Sequence, residues 1–258
     1  MENKETFNAV AEEYEKYRPT YPEQLFEDII QYTNLQKEDS VLEIGCGTGQ
    51  ATSGMVNKGH TRIICIELGS NLAHLTADKF RTYPAIRVVN SAFEQWDGAG
   101  KPFKLAISGT AFHFIEPEYG YRRVAELLDQ DGCIGFFWTV HVPQYNEIHN
   151  HIRQHYRELA PDLDDSLYPS PAETIQERKE ITAKSGLYED IIVKEYDWIQ
   201  TFTSQDYIAL LNTNSRHRQL PEAVKETLLH RIQNTIDEFG GKIDKDYKVA
   251  LFLARKSS

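Results

Sequence analysis

Five short apolar runs, SVLEIG, TRIICIEL, AIRVVNSAF, FKLAISGT and CIGFFWTV, follow one another between residues 40 and 140, with helix-capable segments such as SNLAHLTADKF and PEYGYRRVAELLDQDG between most of them. Each run is rich in β-branched or aromatic residues and lacks a polar face, as expected of strands covered on both sides. That alternation predicts an α/β fold, doubly wound, with a mostly parallel sheet and helices on both faces. The 258 residues with 40% hydrophobic content suffice for one main domain with insertions.

The rhythm places residues 39–141 in an α/β core. Before it, residues 1–38 carry Phe7, Val10, Ala11 and Tyr14 at helical spacing, the RPTYP break, and a second amphipathic helix from Pro22, together an N-terminal helical lid. After it, residues 142–185 read as a helical cap insertion: two polar helices joined by the Pro-, Asp- and Ser-rich loop APDLDDSLYPSP. Residues 186–258 return to the sheet with EDIIVKEYDWIQTFT and YKVALFLARK, and a second cap segment, with the linker SRHRQLP, falls at about 203–220.

Charge narrows the partners. The chain has 28 basic and 39 acidic side chains, a net charge of -11, which opposes a polyanionic backbone, and no N-P-P-Y or D-P-P-Y stretch follows the fourth run. Nucleic acid is not the expected partner. The apolar runs are too short to span a bilayer and the first residues are charged throughout, so the expectation is a soluble, cytoplasmic chain without membrane attachment. Cys46, Cys65 and Cys133, an odd number beside or within apolar runs, predict buried reduced thiols.

The first strand ends in VLEIGCGTGQ, with Gly45, Gly47 and Gly49 at alternate positions. Glycine at the carboxyl end of such a strand allows positive φ and lets a ligand approach bare backbone. The G-x-G-x-G spacing differs from the G-x-G-x-x-G of dinucleotide sites, and no phosphate loop of the G-x-x-x-x-G-K-[ST] kind occurs. Glu67 closes the next strand, placed to accept hydrogen bonds from two ribose hydroxyls. Glu43 adds negative charge near the loop, which would favour a cation over a phosphate. An acidic residue there can also simply favour a helix N-terminus.

E-x-G-x-G-x-G with an acidic residue ending the second strand resembles the S-adenosylmethionine site of class I methyltransferases. NSAFEQW and SGTAFHF are similar to that family's segments after strands three and four. FNAVAEEYEKYRPTYP, the AFHF stretch and TNSRHRQLPE resemble the small-molecule branch related to trans-aconitate methyltransferases. The resemblance implies a seven-stranded Rossmann-like sheet with an antiparallel last strand, and S-adenosyl-L-methionine as cofactor. Gly45, Cys46, Gly47 and Gly49 would then line the methionine and ribose, with Glu43 near the amino acid end. Glu67 and Leu68 would hold the ribose, Ser91, Ala92 and Phe93 would bracket adenine, and Gly109 would border the methyl. Serine stands at 91 where many relatives carry aspartate. Tyr14 and Arg18 would close a lid over the sulfonium and the methionine carboxylate.

His113, at the end of strand four, is a candidate for lining the acceptor pocket or acting as its base, and His141 has the same position on strand five. Arg216 and His217 offer a cationic pair for an anionic acceptor, or a solvated linker. His149, His151 and His155 lack the glutamate or cysteine that would make a zinc site and read as a solvated or cap-facing helix. The function expected is methyl transfer to a small-molecule acceptor, a carboxylate or hydroxyl, by a monomer or homodimer. A nicotinamide-dependent oxidoreductase and a non-catalytic cofactor-binding regulator are the alternatives.

Overall fold

The computed structural model describes residues 20–98 and 102–257, so Tyr14 and Arg18 lie outside the described residues. In chain order these form α1 (Glu23–Thr33), β1 (Val41–Ile44), α2 (Gln50–Asn57), β2 (Ile63–Glu67), α3 (Ser70–Lys79), β3 (Arg87–Asn90), β4 (Phe103–Gly109), α4 (Pro117–Leu127), β5 (Leu128–Val140), α5 (Glu147–Leu159), α6 (Pro171–Lys184), β6 (Tyr188–Thr203), α7 (Ser204–Asn212), α8 (Ser215–Arg218), α9 (Glu222–Glu238) and β7 (Lys242–Lys256).

All seven strands belong to one sheet in the order β3-β2-β1-β4-β5-β7-β6. The β1–β2, β1–β4, β2–β3 and β4–β5 pairings are parallel, with Val41 opposite Ile63 on one side and Leu105 on the other. Every residue of β1 is buried, including Glu43, because helices cover both faces. Chain order reverses between β1 and β4, and the crevice at the carboxyl ends of that strand pair is where an open α/β sheet receives its ligand.

Some of the helices begin at side-chain caps. Glu116 accepts from the backbone N–H of Glu118 and Tyr119 ahead of Pro117, starting α4. Ser170 and Glu173 exchange hydrogen bonds in a reciprocal capping box that starts α6. The segment expected as a linker contains one helical turn, α8, because Asn214 Oδ1 accepts from Arg216 N at 3.0 Å. No helix among the described residues is long and apolar enough to cross a membrane.

The described chain separates into two compact units. One comprises residues 20–98, 102–139, 175–196 and 249–257. Its core includes Leu25, Phe26 and Ile29 of α1, the strands β1, β2 and β4, and Phe136 and Phe137 of β5. The other comprises residues 140–174 and 197–248, and has an apolar core of its own built from Ile152, Leu163, Phe202, Leu228, Ile232, Ile236 and neighbours. Residues 20–38 and 175–185 therefore belong to the unit that holds β1 to β4. The physical reason is visible in α1, whose Leu25 and Ile29 are wholly buried and whose Phe26 meets Phe137 edge-on. Cys46, Cys65 and Cys133 are all buried free thiols, as expected from the sequence.

Candidate functional site

Gly45, Gly47 and Gly49 all adopt positive φ, at 70°, 56° and 78°. Their surroundings differ, and the difference assigns their roles. A Cβ on Gly45 would lie 2.4 Å from Ala111 Cβ, so that glycine exists to let the β1 loop touch the loop after β4. A Cβ on Gly49 would strike the Phe80 ring. A Cβ on Gly47 would meet nothing within 4 Å among the described residues. Gly47 thus leaves a backbone edge uncovered by the described residues at the strand-order reversal.

Glu67 is buried at the end of β2 and both of its oxygens are held: Gly47 N–H donates to Oε2 at 2.9 Å and Gly69 N–H to Oε1 at 2.7 Å. Burial raises its pKa above the ordinary glutamate value, against the lowering effect of the Gly69 and Gly47 donors. Each oxygen retains a lone pair for a further donor. Asn90, which sequence reasoning missed, steadies this corner by donating Nδ2–H to the carbonyls of Glu67 and Leu68, both at 2.9 Å. Leu68 itself is exposed. Beyond it, Ser91 donates its hydroxyl to Ala92 O, Ala92 is partly exposed and Phe93 is buried.

Glu43 lies beneath the loop. Its Oε2 accepts from Thr52 Oγ1 at 2.6 Å and from Cys65 Sγ at 3.8 Å. Burial pushes its pKa up to about 7 despite the Thr52 and Cys65 bonds, so near neutrality it is only partly ionised and a weaker source of negative charge than the sequence implies. Cys46 Sγ, also buried, has its pKa raised by its contact with Cys65 and by burial.

Across the crevice, β4 ends at Gly109 and the chain turns through Thr110 at φ 55°. A β-branched residue in that region is strained, and three bonds hold it: Thr110 N to Phe137 O, Tyr21 Oη with Thr110 Oγ1, and Thr139 N to Thr110 Oγ1. Nothing in the sequence marks Thr110, since its residue type argues against the conformation. The strained turn delivers Ala111 to Gly45 and His113 to Trp138, whose Nε1–H donates to His113 Nδ1 at 3.2 Å. His113 keeps an exposed edge, yet burial of the ring and the positive charge of Arg178 lower its pKa to about 4.

The remaining candidates belong to the other unit. There His141 Nε2 meets Asp165 Oδ2 at 3.2 Å, Arg216 bonds Tyr168 and the Asp162 carbonyl, and His217 Nε2 meets Tyr156 Oη at 2.7 Å. In α5, His149 and His155 bond Asn146 and Thr235.

Residues 41–132 match the family model described as a methyltransferase domain. An uncharacterized methyltransferase of Oceanobacillus iheyensis is 29% identical over 61% of this chain and 72% of its own length. A putative methyltransferase of Dictyostelium discoideum is 26% identical over 97% of this chain and 94% of its own. Among solved structures, the Haemonchus contortus phosphoethanolamine N-methyltransferase 2, in complex with phosphomonomethylethanolamine and S-adenosylhomocysteine, has the same fold, with a TM-score of 0.58 and 13% identity. That alignment covers all of this chain and 61% of the nematode protein. Family match, strand order and loop geometry converge: residues 41–132 are similar to a methyltransferase domain of the class I, S-adenosylmethionine-dependent type.

Proposed function

We propose that this chain transfers the methyl group of S-adenosyl-L-methionine to an oxygen, carboxylate or hydroxyl, of a small-molecule acceptor. The observation that carries the reading is the Glu67 carboxylate, fixed by the N–H groups of Gly47 and Gly69 beside the open backbone edge of Gly47. That arrangement fits a nucleoside with both ribose hydroxyls free, because the remaining lone pairs of Glu67 accept from a cis-diol. It offers no row of free N–H groups for a pyrophosphate, since Gly47 N–H is already bonded to Glu67 and Gly45 N–H to Ile66 O.

When bound, the cofactor supplies an electrophilic methyl on a sulfonium. The protein's part is to hold and to exclude water. Glu67 and Leu68 take the ribose side, Ser91, Ala92 and Phe93 the adenine side, and the Gly45–Gly49 loop the methionine side. Gly109 and His113 border the acceptor. Calorimetric titration with S-adenosylhomocysteine and with NADH, on the wild type and on Glu67→Ala, tests this. Micromolar binding of S-adenosylhomocysteine alone, lost or weakened at least tenfold in the variant, supports it. NADH binding, or binding of neither, refutes it.

A further inference from the structure

Because Trp138 Nε1–H points at His113 Nδ1, that nitrogen carries a lone pair, and the neutral ring bears its proton on Nε2. A base needs a free lone pair; with Nδ1 taken by Trp138, the other nitrogen of the neutral His113 ring carries the proton. In this form His113 can donate to an acceptor and cannot take its proton. The same indole carries a second donor on its face: Arg178 Cζ of α6 lies 5.0 Å from the Trp138 ring centroid. Arg178 Nε is buried without a hydrogen-bond partner, and no ion pair among the described residues involves this side chain. Burial lowers its pKa, as expected of a cation short of a counter-charge. A partly buried guanidinium without a carboxylate is costly unless an anion joins it.

Resting on the methyltransferase reading, we infer that Trp138, His113 and Arg178 form an acceptor subsite for a carboxylate, with Arg178 the specificity-determining residue. His113 Nε2–H and the Arg178 guanidinium hold one carboxylate oxygen while the other faces the methyl. The attacking oxygen uses a lone pair to form the new O–CH3 bond, and the C–S bond breaks with its electron pair passing to sulfur. An anion and a sulfonium become a neutral ester and a neutral thioether, and no proton moves. A hydroxyl acceptor, or an amine held as ammonium, would have to give up a proton, and His113 is the wrong tautomer to take it.

Methyl transfer is measured from labelled S-adenosylmethionine to a panel of short mono- and dicarboxylic acids and to the alcohols and primary amines of the same skeletons. Arg178→Met and Arg178→Lys are measured beside the wild type. In parallel, nitrogen NMR of the His113 ring is followed in the S-adenosylhomocysteine complex as succinate or benzoate is added. The expected results are transfer to acids only, KM for the acid raised roughly 10- to 100-fold in Arg178→Met, and partial recovery in Arg178→Lys. S-adenosylhomocysteine affinity should be unchanged in both variants, and the His113 resonances should show the Nε2–H form and shift with the added acid. Transfer to alcohols or amines in preference, an unchanged KM in Arg178→Met, or an Nδ1–H ring overturns the inference. So does a wild type that binds S-adenosylhomocysteine but neither methylates an acid nor shifts with succinate or benzoate; the methyltransferase reading then stands. If the wild type does not bind S-adenosylhomocysteine, both fall.

Discussion

Gly47 donates its backbone N–H to Glu67 Oε2 at 2.9 Å, tying the loop after β1 to the end of β2 across 20 residues of sequence. The bond uses the backbone of Gly47 and leaves its Cα edge open, whereas Gly45 is closed against Ala111. The two glycines should therefore fail in different ways. Gly47→Ala costs only the left-handed backbone strain, about 1–2 kcal/mol, and adds a methyl to the space assigned to the cofactor. Gly45→Ala adds overlap with Ala111 to the same strain, about 2–5 kcal/mol in all. Thermal melts with S-adenosylhomocysteine titrations should show Gly47→Ala folded but with binding abolished, and Gly45→Ala markedly destabilised. Equal destabilisation of both would contradict the assignment.

Glu43 makes stability depend on pH in the sense opposite to a surface carboxylate. Its folded pKa, about 7, lies above the ordinary 4.5, so between these values the folded chain holds a proton that the unfolded chain has released. Stability thus falls as pH rises through that window, by about 3 kcal/mol when complete, and Glu67, shifted in the same direction, adds to the trend. Glu43→Gln keeps an oxygen for Thr52 and removes the titration. Denaturant unfolding from pH 4.5 to 8 should show the wild type losing stability relative to the variant. Parallel curves would show that burial does not hold the proton on Glu43.

Much of this site is legible from residue order, for a physical reason. Strands buried on both faces must be apolar throughout, so β1, β2, β4 and β5 announce themselves, and the spacing from Gly47 to Glu67 follows from one strand–helix–strand unit. What escapes is whatever depends on a neighbour distant in sequence. That Trp138 Nε1–H meets His113 Nδ1, across 25 residues, cannot be read from the neighbours of either residue. Glu43 looks like a charge until Thr52 and the surrounding core are seen to close over it. Thr110 defies its own propensity because Phe137, Tyr21 and Thr139 together hold it. Arg178 lies on α6, whose residues 175–184 cluster with residues 20–98 and 102–139, a grouping that its polar sequence does not show.

Glycine within a helix normally invites replacement by alanine, which gains up to about 1 kcal/mol. Gly54 in α2 is an exception: an added Cβ would fall 2.1 Å from the Phe26 ring of α1. Phe26 is buried and packed edge-on to Phe137, so it has no space into which to retreat. Gly54→Ala should lower stability by about 1–3 kcal/mol, while Gly54→Ala with Phe26→Leu recovers part of the loss. A stabilised single variant would mean that the α1–α2 contact yields more readily than its packing implies.

In the other unit, Arg153 is almost wholly enclosed and bonds Asp165 Oδ1 at 2.7 Å through Nε, with Asp164 at 3.6 Å. Its Nη groups donate to Asn150 Oδ1 and Gln144 O. Burial alone would raise the Asp165 pKa, but the bonds from His141 and Arg153 outweigh it and hold the value at about 2. A carboxylate with a depressed folded pKa contributes stability that is present above the ordinary 3.8 and is lost as pH falls through about 2. Removing one partner of such a pair leaves a buried charge uncompensated, at about 3–5 kcal/mol. Arg153→Met should therefore be strongly destabilised at pH 7 and less so at pH 2.5, where Asp165 takes up a proton more readily in the variant. Arg153→Met with Asp165→Asn should recover part of the loss at pH 7. A loss in the single variant below about 1 kcal/mol, the range of a surface pair, would show that this cluster is hydrated and does not hold its unit together.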